Sequence, residues 1–245
     1  MRAMLCGLCF LAWSAFAISQ DKPDELVKAA IVAAGGAENL SKYPAGRVVG
    51  KGVMIFAGNE TAFVFEHAYH VPGRFRTHIT CEVRSQKWEL IQVVDGAIAR
   101  QTINGSFVPV TEAGVRELQL AVILNEIGQL TPLTIDRRFQ LKLDRQLKGP
   151  DAVGLVVQVR GYPDLRLAFD RSSGHLARLS HKNTDPETGK EVELETTFTD
   201  FKEFSGLVKP TRTVVTREGK KVVELLVEKF TPLEKIDPSA FVLKE

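Results

Sequence analysis

Apolar and polar residues alternate along most of this chain, and the alternation marks strands. GRVVGKGVMIFAG and ETAFVFEHAYHV meet at Gly58-Asn59, a hairpin signal. Pro72-Gly73 then turns the chain into RFRTHITCEV. There Phe75, Thr77, Ile79, Cys81 and Val83 share one side, while Arg74, Arg76, His78, Thr80, Glu82 and Arg84 share the other. That period of two is the signature of a half-buried strand. WELIQVV, AIARQTI and SFVPV follow, separated by Asp95-Gly96 and Asn104-Gly105. The second half continues with RRFQLKLDRQL, VGLVVQVRG, LRLAFD, HLARLSHKN, EVELETTFTDF, VKPTRTVVT and KKVVELLVEKF. Together these predict about ten or eleven strands in sequential antiparallel hairpins.

Two segments read as helix instead. Pro23 stands in a first turn with Asp24 and Glu25, ahead of apolar Leu26, Val27, Ala30, Ile31 and Ala34, and Gly35-Gly36 ends the run. A short turn over AENLSKY follows. Thr111 caps the second helix, about Glu112 to Ile127, with Gly128 at its end. Its Val115, Leu118, Leu120, Val122, Ile123, Leu124 and Ile127 occupy more than half its girth, so it is mostly buried. The fold class is α+β, mostly β, with a single domain over residues 18–245.

Each strand carries about three or four large apolar residues on one face. Burying one is worth about 1.5–3 kcal/mol, so a wholly wet face would cost on the order of tens of kcal/mol. The two helices cover only part of that area. Either the sheet closes and fills itself, or it curls around the helices and leaves an apolar cleft. In TFTDFKEFSGLVKP, residues 197–210, Phe201 and Phe204 pin a corner between two late strands. Gly206 permits the bend and Pro210 marks an edge or bulge.

Composition narrows the function. Of 245 residues, 44% are hydrophobic and 25% charged, and 32 basic against 30 acidic residues give a net charge of +2. A nucleic-acid partner would require a basic excess that this chain lacks. The opening MRAMLCGLCFLAWSAFAISQ has Arg2, an apolar run from Ala3 to Trp13, and the cleavage pattern Ala15-Phe16-Ala17. It predicts a signal peptide over residues 1–17, an exported, periplasmic protein, and no transmembrane segment in the mature chain. Cys6 and Cys9 lie in that leader, so Cys81 is left alone as a small buried hydrophobe.

Catalytic and metal-binding chemistry finds no motif, and no cofactor is expected. His67 and His70 in HAYH point to opposite faces of a strand. His175 and His181 are expected at the surface. There is no HExxH, CxxC, GxSxG or phosphate loop. Glu191, Glu193 and Glu195 read as a solvated strand face, and Arg74 and Arg76 as partners of acids on a neighbouring strand.

AAIVAAGGAENLSKYPAGRVVGKG, VPGRFR and the closing FTDFKEFSGLVKPTRTVVTREGKKVVELLVEKFTPLEKIDPSAF resemble exported bacterial proteins with the outer-membrane lipoprotein-sorting fold, the LolA/LolB/LppX-like group. The resemblance is a pattern of strands and turns over most of the mature chain. It implies a large curved antiparallel sheet, a half-barrel, with two main helices covering the concave face as a lid over an apolar cavity. In the carrier members that cavity takes lipoprotein acyl chains; in others, lipids. The expected function is then binding of a lipid or lipoprotein acyl chain between sheet and lid. Alternation nominates the ligand-lining residues: Phe75, Ile79, Val83, Val192, Leu194, Phe198, Val223, Leu225 and Val227 on the sheet, and Leu118 and Val122 on the helix. The alternatives are a non-enzymatic periplasmic module with a filled core that binds an envelope protein, and an enzyme whose site is dispersed over several strands.

Overall fold

The computed structural model of the chain describes residues 22–56, 58–147, 151–185 and 189–243. The expected leader lies outside the described residues. The helices are α1 (Pro23–Ala33), α2 (Gly36–Lys42), α3 (Glu112–Gly128) and α4 (Pro132–Ile135). The first strands are β1 (Ala45–Phe56), β2 (Asn59–His70), β3 (Arg74–Val83), β4 (Gln86–Asp95), β5 (Ile98–Ile103) and β6 (Ser106–Val108). The later ones are β7 (Gln140–Leu143), β8 (Ala152–Gln158), β9 (Leu165–Asp170), β10 (Leu176–Thr184), β11 (Glu191–Phe204), β12 (Leu207–Arg217) and β13 (Lys220–Leu233).

All thirteen strands form one curved, unclosed antiparallel sheet in the order β6-β5-β4-β3-β2-β1-β13-β12-β11-β10-β9-β8-β7. The number exceeds the ten or eleven expected because every alternating run read from the sequence pairs as a separate strand, down to the short edges, where only SFV of SFVPV and QLKL of RRFQLKLDRQL do so. Every consecutive pair is a hairpin or meander except at two places. β1 lies beside β13, joining early and late parts of the chain at the centre of the sheet. β6 and β7 are its opposite edges, so the segment between them, which carries α3 and α4, must pass from edge to edge. At about 1.5 Å per residue, the 17 residues of α3 span roughly 25 Å of that crossing.

The helices form where the pattern places them. Pro23, Asp24 and Glu25 start α1, and its Leu26, Val27, Ala30 and Ile31 are buried. The Thr111 hydroxyl accepts the Gly114 N–H at 3.1 Å and caps α3. From Leu118 to Ile127 no side chain of α3 is exposed, as its apolar girth requires. Thr111→Ala should cost about 1 kcal/mol of stability in denaturant titrations; a loss within error would show that the cap is not what holds this helix end.

The core lies on the concave face. Residues of α1, α2 and α3 pack there with Tyr69, Phe75 and Val94 of the early strands and Leu155, Leu165, Leu167 and Phe169 of the late ones. A second cluster on the same face contains strand residues only: Phe63, Phe65 and Cys81, with Met54, Ile79, Val83, Trp88, Val223 and Leu225 half-buried around them. The rings of Phe63 and Phe65 lie over Gly52 and Gly50 of β1, where any Cβ would collide with them. The convex face carries a third cluster, formed where the turn Pro238–Phe241 brings Phe241 against Ala45 and Val93.

Candidate functional site

The concave face has a covered end and an open end. At the covered end a cavity of about 80 Å³ opens between α1, the end of α3 and the sheet. Ala30 and Ala34 of α1, Gly128 and Leu130 after α3, and His175, Leu176, Phe198, Phe201, Val208, Lys209 and Pro210 line it. This is smaller than the roughly 150 Å³ apolar cavity that accommodates a benzene molecule. Beneath the helices the interior is therefore nearly filled.

At the open end the strand-only cluster continues the apolar lining without a helix above it. Cross-strand neighbours connect the two ends in one row: Phe198, Thr213, Leu225, Gly52, Phe63, Cys81 and Trp88. Six inter-strand steps make this row about 29 Å long. Phe198, Leu225 and Trp88 along it are only half-buried.

Polar groups are few and specific. Lys209 of β12 donates from Nζ to the Gly128 carbonyl at 3.3 Å and to Gln129 Oε1 at 3.2 Å. Burial pushes its pKa down to about 8. Under α3, His67 Nδ1 lies 2.8 Å from Thr77 Oγ1 and its Nε2 lies 3.3 Å from Asn125 Oδ1. Burial lowers the pKa of His67 to about 4. Nearby, Glu126 is 1% exposed, accepts the Gly73 N–H at 3.0 Å and pairs with Arg138 at 2.8 Å. These contacts fasten the last turns of α3 to the β2–β3 turn and to the loop before β7.

The nominated lining residues fall in different places. Phe75, Leu118 and Val122 are buried in the main core, with Phe198 and Val227 packed against it. Ile79, Val83, Val223 and Leu225 border the strand-only cluster. Val192 and Leu194 are half-buried near the start of β11. Of the eleven, Phe198 alone lines the 80 Å³ cavity.

His181 departs from expectation. It is buried, and among the described residues its Nδ1 has no hydrogen-bond partner. It lies opposite Leu194 on the apolar side of β10, a placement set by strand parity that the flanking polar residues concealed. His175 is half-buried and stacks on Phe201 with ring centroids 4.3 Å apart. Arg74 pairs with Asp95 on the neighbouring strand at 2.6 Å, as expected of it. Cys81 is buried, and burial raises its pKa. Neither Lys209 nor Gln129 stands in a recognisable sequence motif. The signal available was a lysine alternating in phase with Leu207 and Thr211 on the inward side of a strand.

Among the described residues no helix is long and apolar enough to cross a membrane. No protein-family model matches the sequence, and no curated protein matches it either. Solved structures do. A LolA-superfamily protein from Nitrosomonas europaea matches 90% of this chain and 97% of its own, at 12% identity and a TM-score of 0.57. A DUF1329-family protein from Desulfovibrio piger matches the same shares at 8% identity and a TM-score of 0.58. A domain from Vibrio parahaemolyticus, described as outer-membrane lipoprotein-sorting, matches 80% of this chain and 88% of its own, at 10% identity and a TM-score of 0.53. At these identities the likeness is one of fold. The chain has the fold of the outer-membrane lipoprotein-sorting, LolA-like proteins.

Proposed function

We propose that this is an exported, periplasmic protein, a single domain after removal of residues 1–17, that binds a lipid or lipoprotein acyl chain along its concave face. It acts as a carrier or sensor and not as an enzyme. The observation that carries the reading is the largely apolar row from Phe198 to Trp88, interrupted by Thr213 and with Phe198, Leu225 and Trp88 half-buried, which starts at the cavity under the helices and runs out over strands that no helix covers. A flexible apolar chain is the ligand whose shape suits such a row, and burying it would remove the lining from water. The description of the Vibrio parahaemolyticus domain as lipoprotein-sorting supports the same chemistry.

Native mass spectrometry of the protein purified from its host envelope is the test. The expected result is a co-purifying species whose mass, after extraction, is that of an acyl-containing lipid. Absence of any such species, together with no uptake of an apolar fluorophore, would remove the reading. The nearly filled space beneath the helices favours one alternative, a protein-binding module. That module would show no lipid and a stable envelope partner in cross-linked pull-downs.

A further inference from the structure

Among the described residues Lys209 is the only charged side chain lining the small cavity, whose other walls are alanine, glycine, leucine, valine, proline, phenylalanine and a stacked histidine. Its ammonium has three N–H donors. Two are directed at a backbone carbonyl and an amide oxygen, both neutral acceptors. Among the described residues no carboxylate lies within ion-pair distance of it, whereas Arg74, Arg166 and Arg212 each hold one and Arg138 holds two. Across the strand pair the neighbour of Lys209 is Lys202, a second cation and exposed. Lys202 extends into water, and burial alone lowers the pKa of Lys209. His175, the other titratable group of the cavity, has its pKa lowered by burial, so it is neutral at pH 7 and adds no competing charge.

A half-buried lysine without a counter-ion is an expensive group to place beside an apolar wall. The cavity also sits at the Phe198 end of the apolar row, so a charge bound there has a track leading away from it. We infer that Lys209 and its cavity receive the anionic head of a single-chain carboxylate amphiphile, a long-chain fatty acid, whose tail follows the row from Phe198 towards Trp88. One ammonium with one unassigned donor suits the single charge of a carboxylate. A phosphate head, with more charge and more acceptor oxygens, is usually met by arginine or by several donors, and no arginine lines this cavity. This assignment rests on the apolar-ligand reading above and specifies the head group within it.

The test is calorimetric titration of the delipidated full chain at pH 7 with dodecanoate, methyl dodecanoate and dodecyl phosphate below their micellar concentrations. Dodecanoate is expected to bind at least about tenfold more tightly than its methyl ester, the scale of one charge-assisted hydrogen bond. Lys209→Met should bring acid and ester to within about twofold, and Lys209→Arg should keep the preference. Lys209→Met removes a charge that burial disfavours, so its thermal midpoint should not fall; a large fall would mean that the lysine serves the fold and would overturn the assignment. Equal binding of acid and ester by the unaltered protein overturns the head-group inference and leaves the acyl-binding reading standing. Tighter, Lys209-dependent binding of dodecyl phosphate overturns the choice of carboxylate. Failure of all three to bind overturns both readings.

Discussion

Gly35→Val should lower the stability of this protein by about 3–4 kcal/mol, a large loss for a single substitution. Gly35 joins α1 to α2 with φ of 109°, a conformation that side-chain-bearing residues rarely adopt. That alone costs about 1–3 kcal/mol. The second cost is contact. A Cβ at this position would overlap the carbonyl oxygen of Gly206, in the turn between β11 and β12. The two backbones are held together there by the Val208 N–H donating to Ala34 O at 3.0 Å. The Asn39 amide adds donations to Gly35 O at 2.8 Å and Gly206 O at 3.3 Å. Forcing the chains apart breaks the two bonds that cross between them, Val208 N–H to Ala34 O and Asn39 to Gly206 O, and lifts the helical corner off the sheet. Gly36→Ala is the control, because Gly36 also has a positive φ, 88°, yet a Cβ there meets nothing within 4 Å. It should cost only the backbone part, about 1–2 kcal/mol. Urea titrations that show equal losses at positions 35 and 36 would show that the corner is not docked as described. Ala34 and Val208 both line the cavity, so Gly35→Val should also abolish ligand binding there.

That corner shows which parts of the molecule are readable from the chain and which are not. The hairpins are local: Asn104-Gly105, Glu218-Gly219 and Ser205-Gly206 all adopt the positive φ values their turns require. The α3 helix announces itself by Thr111 and by an apolar surface over more than half its girth. The pairing of β1 with β13 depends on nothing local, since neither strand carries a mark that selects the other. Gly35 reads as a helix terminator, and its close approach to Gly206 is a contact between residues far apart in sequence. TFTDFKEFSGLVKP behaves likewise. Its Phe204 packs edge-on against Phe230, and Pro210 lies beyond the stretch of β12 that pairs with β13, where a missing N–H is tolerated. Both features follow the alternation. That Lys209 in the same stretch meets Gln129 at the end of α3 does not, because the path of α3 between the sheet edges is set by topology. The apolar lining is legible as a set of alternating positions. The polar group at its end is legible only once the two elements are brought together.

Acidification from pH 7 to pH 4 should destabilise the fold, with His67 contributing on the order of 2–3 kcal/mol. The neutral ring, with its proton on Nε2, donates to Asn125 Oδ1 of α3 while Nδ1 accepts from the Thr77 hydroxyl. Burial lowers its pKa from 6.5 to about 4. Above pH 6.5 the ring is neutral in both folded and unfolded chains, and its contribution is complete. Between 6.5 and 4 the unfolded chain binds a proton that the folded one refuses, so stability falls as pH falls, and below about 4 the loss from this group levels off. His70, His175 and His181 also have pKa values lowered by burial, so they steepen the same limb. His67→Gln retains a donor and an acceptor and cannot titrate. In urea titrations at pH 7 and 4.5, the difference between the two pH values should shrink by about 2 kcal/mol in that variant. An unchanged difference would assign the acid limb to the other histidines. The location of His67 gives this loss a direction. It lies between β3 and α3, so the contact it weakens first is the one holding the crossing helix onto the concave face. Binding of an apolar fluorophore should therefore rise as pH falls from 6.5 towards 4, before the far-ultraviolet dichroism of the sheet changes, and His67→Gln should delay that rise.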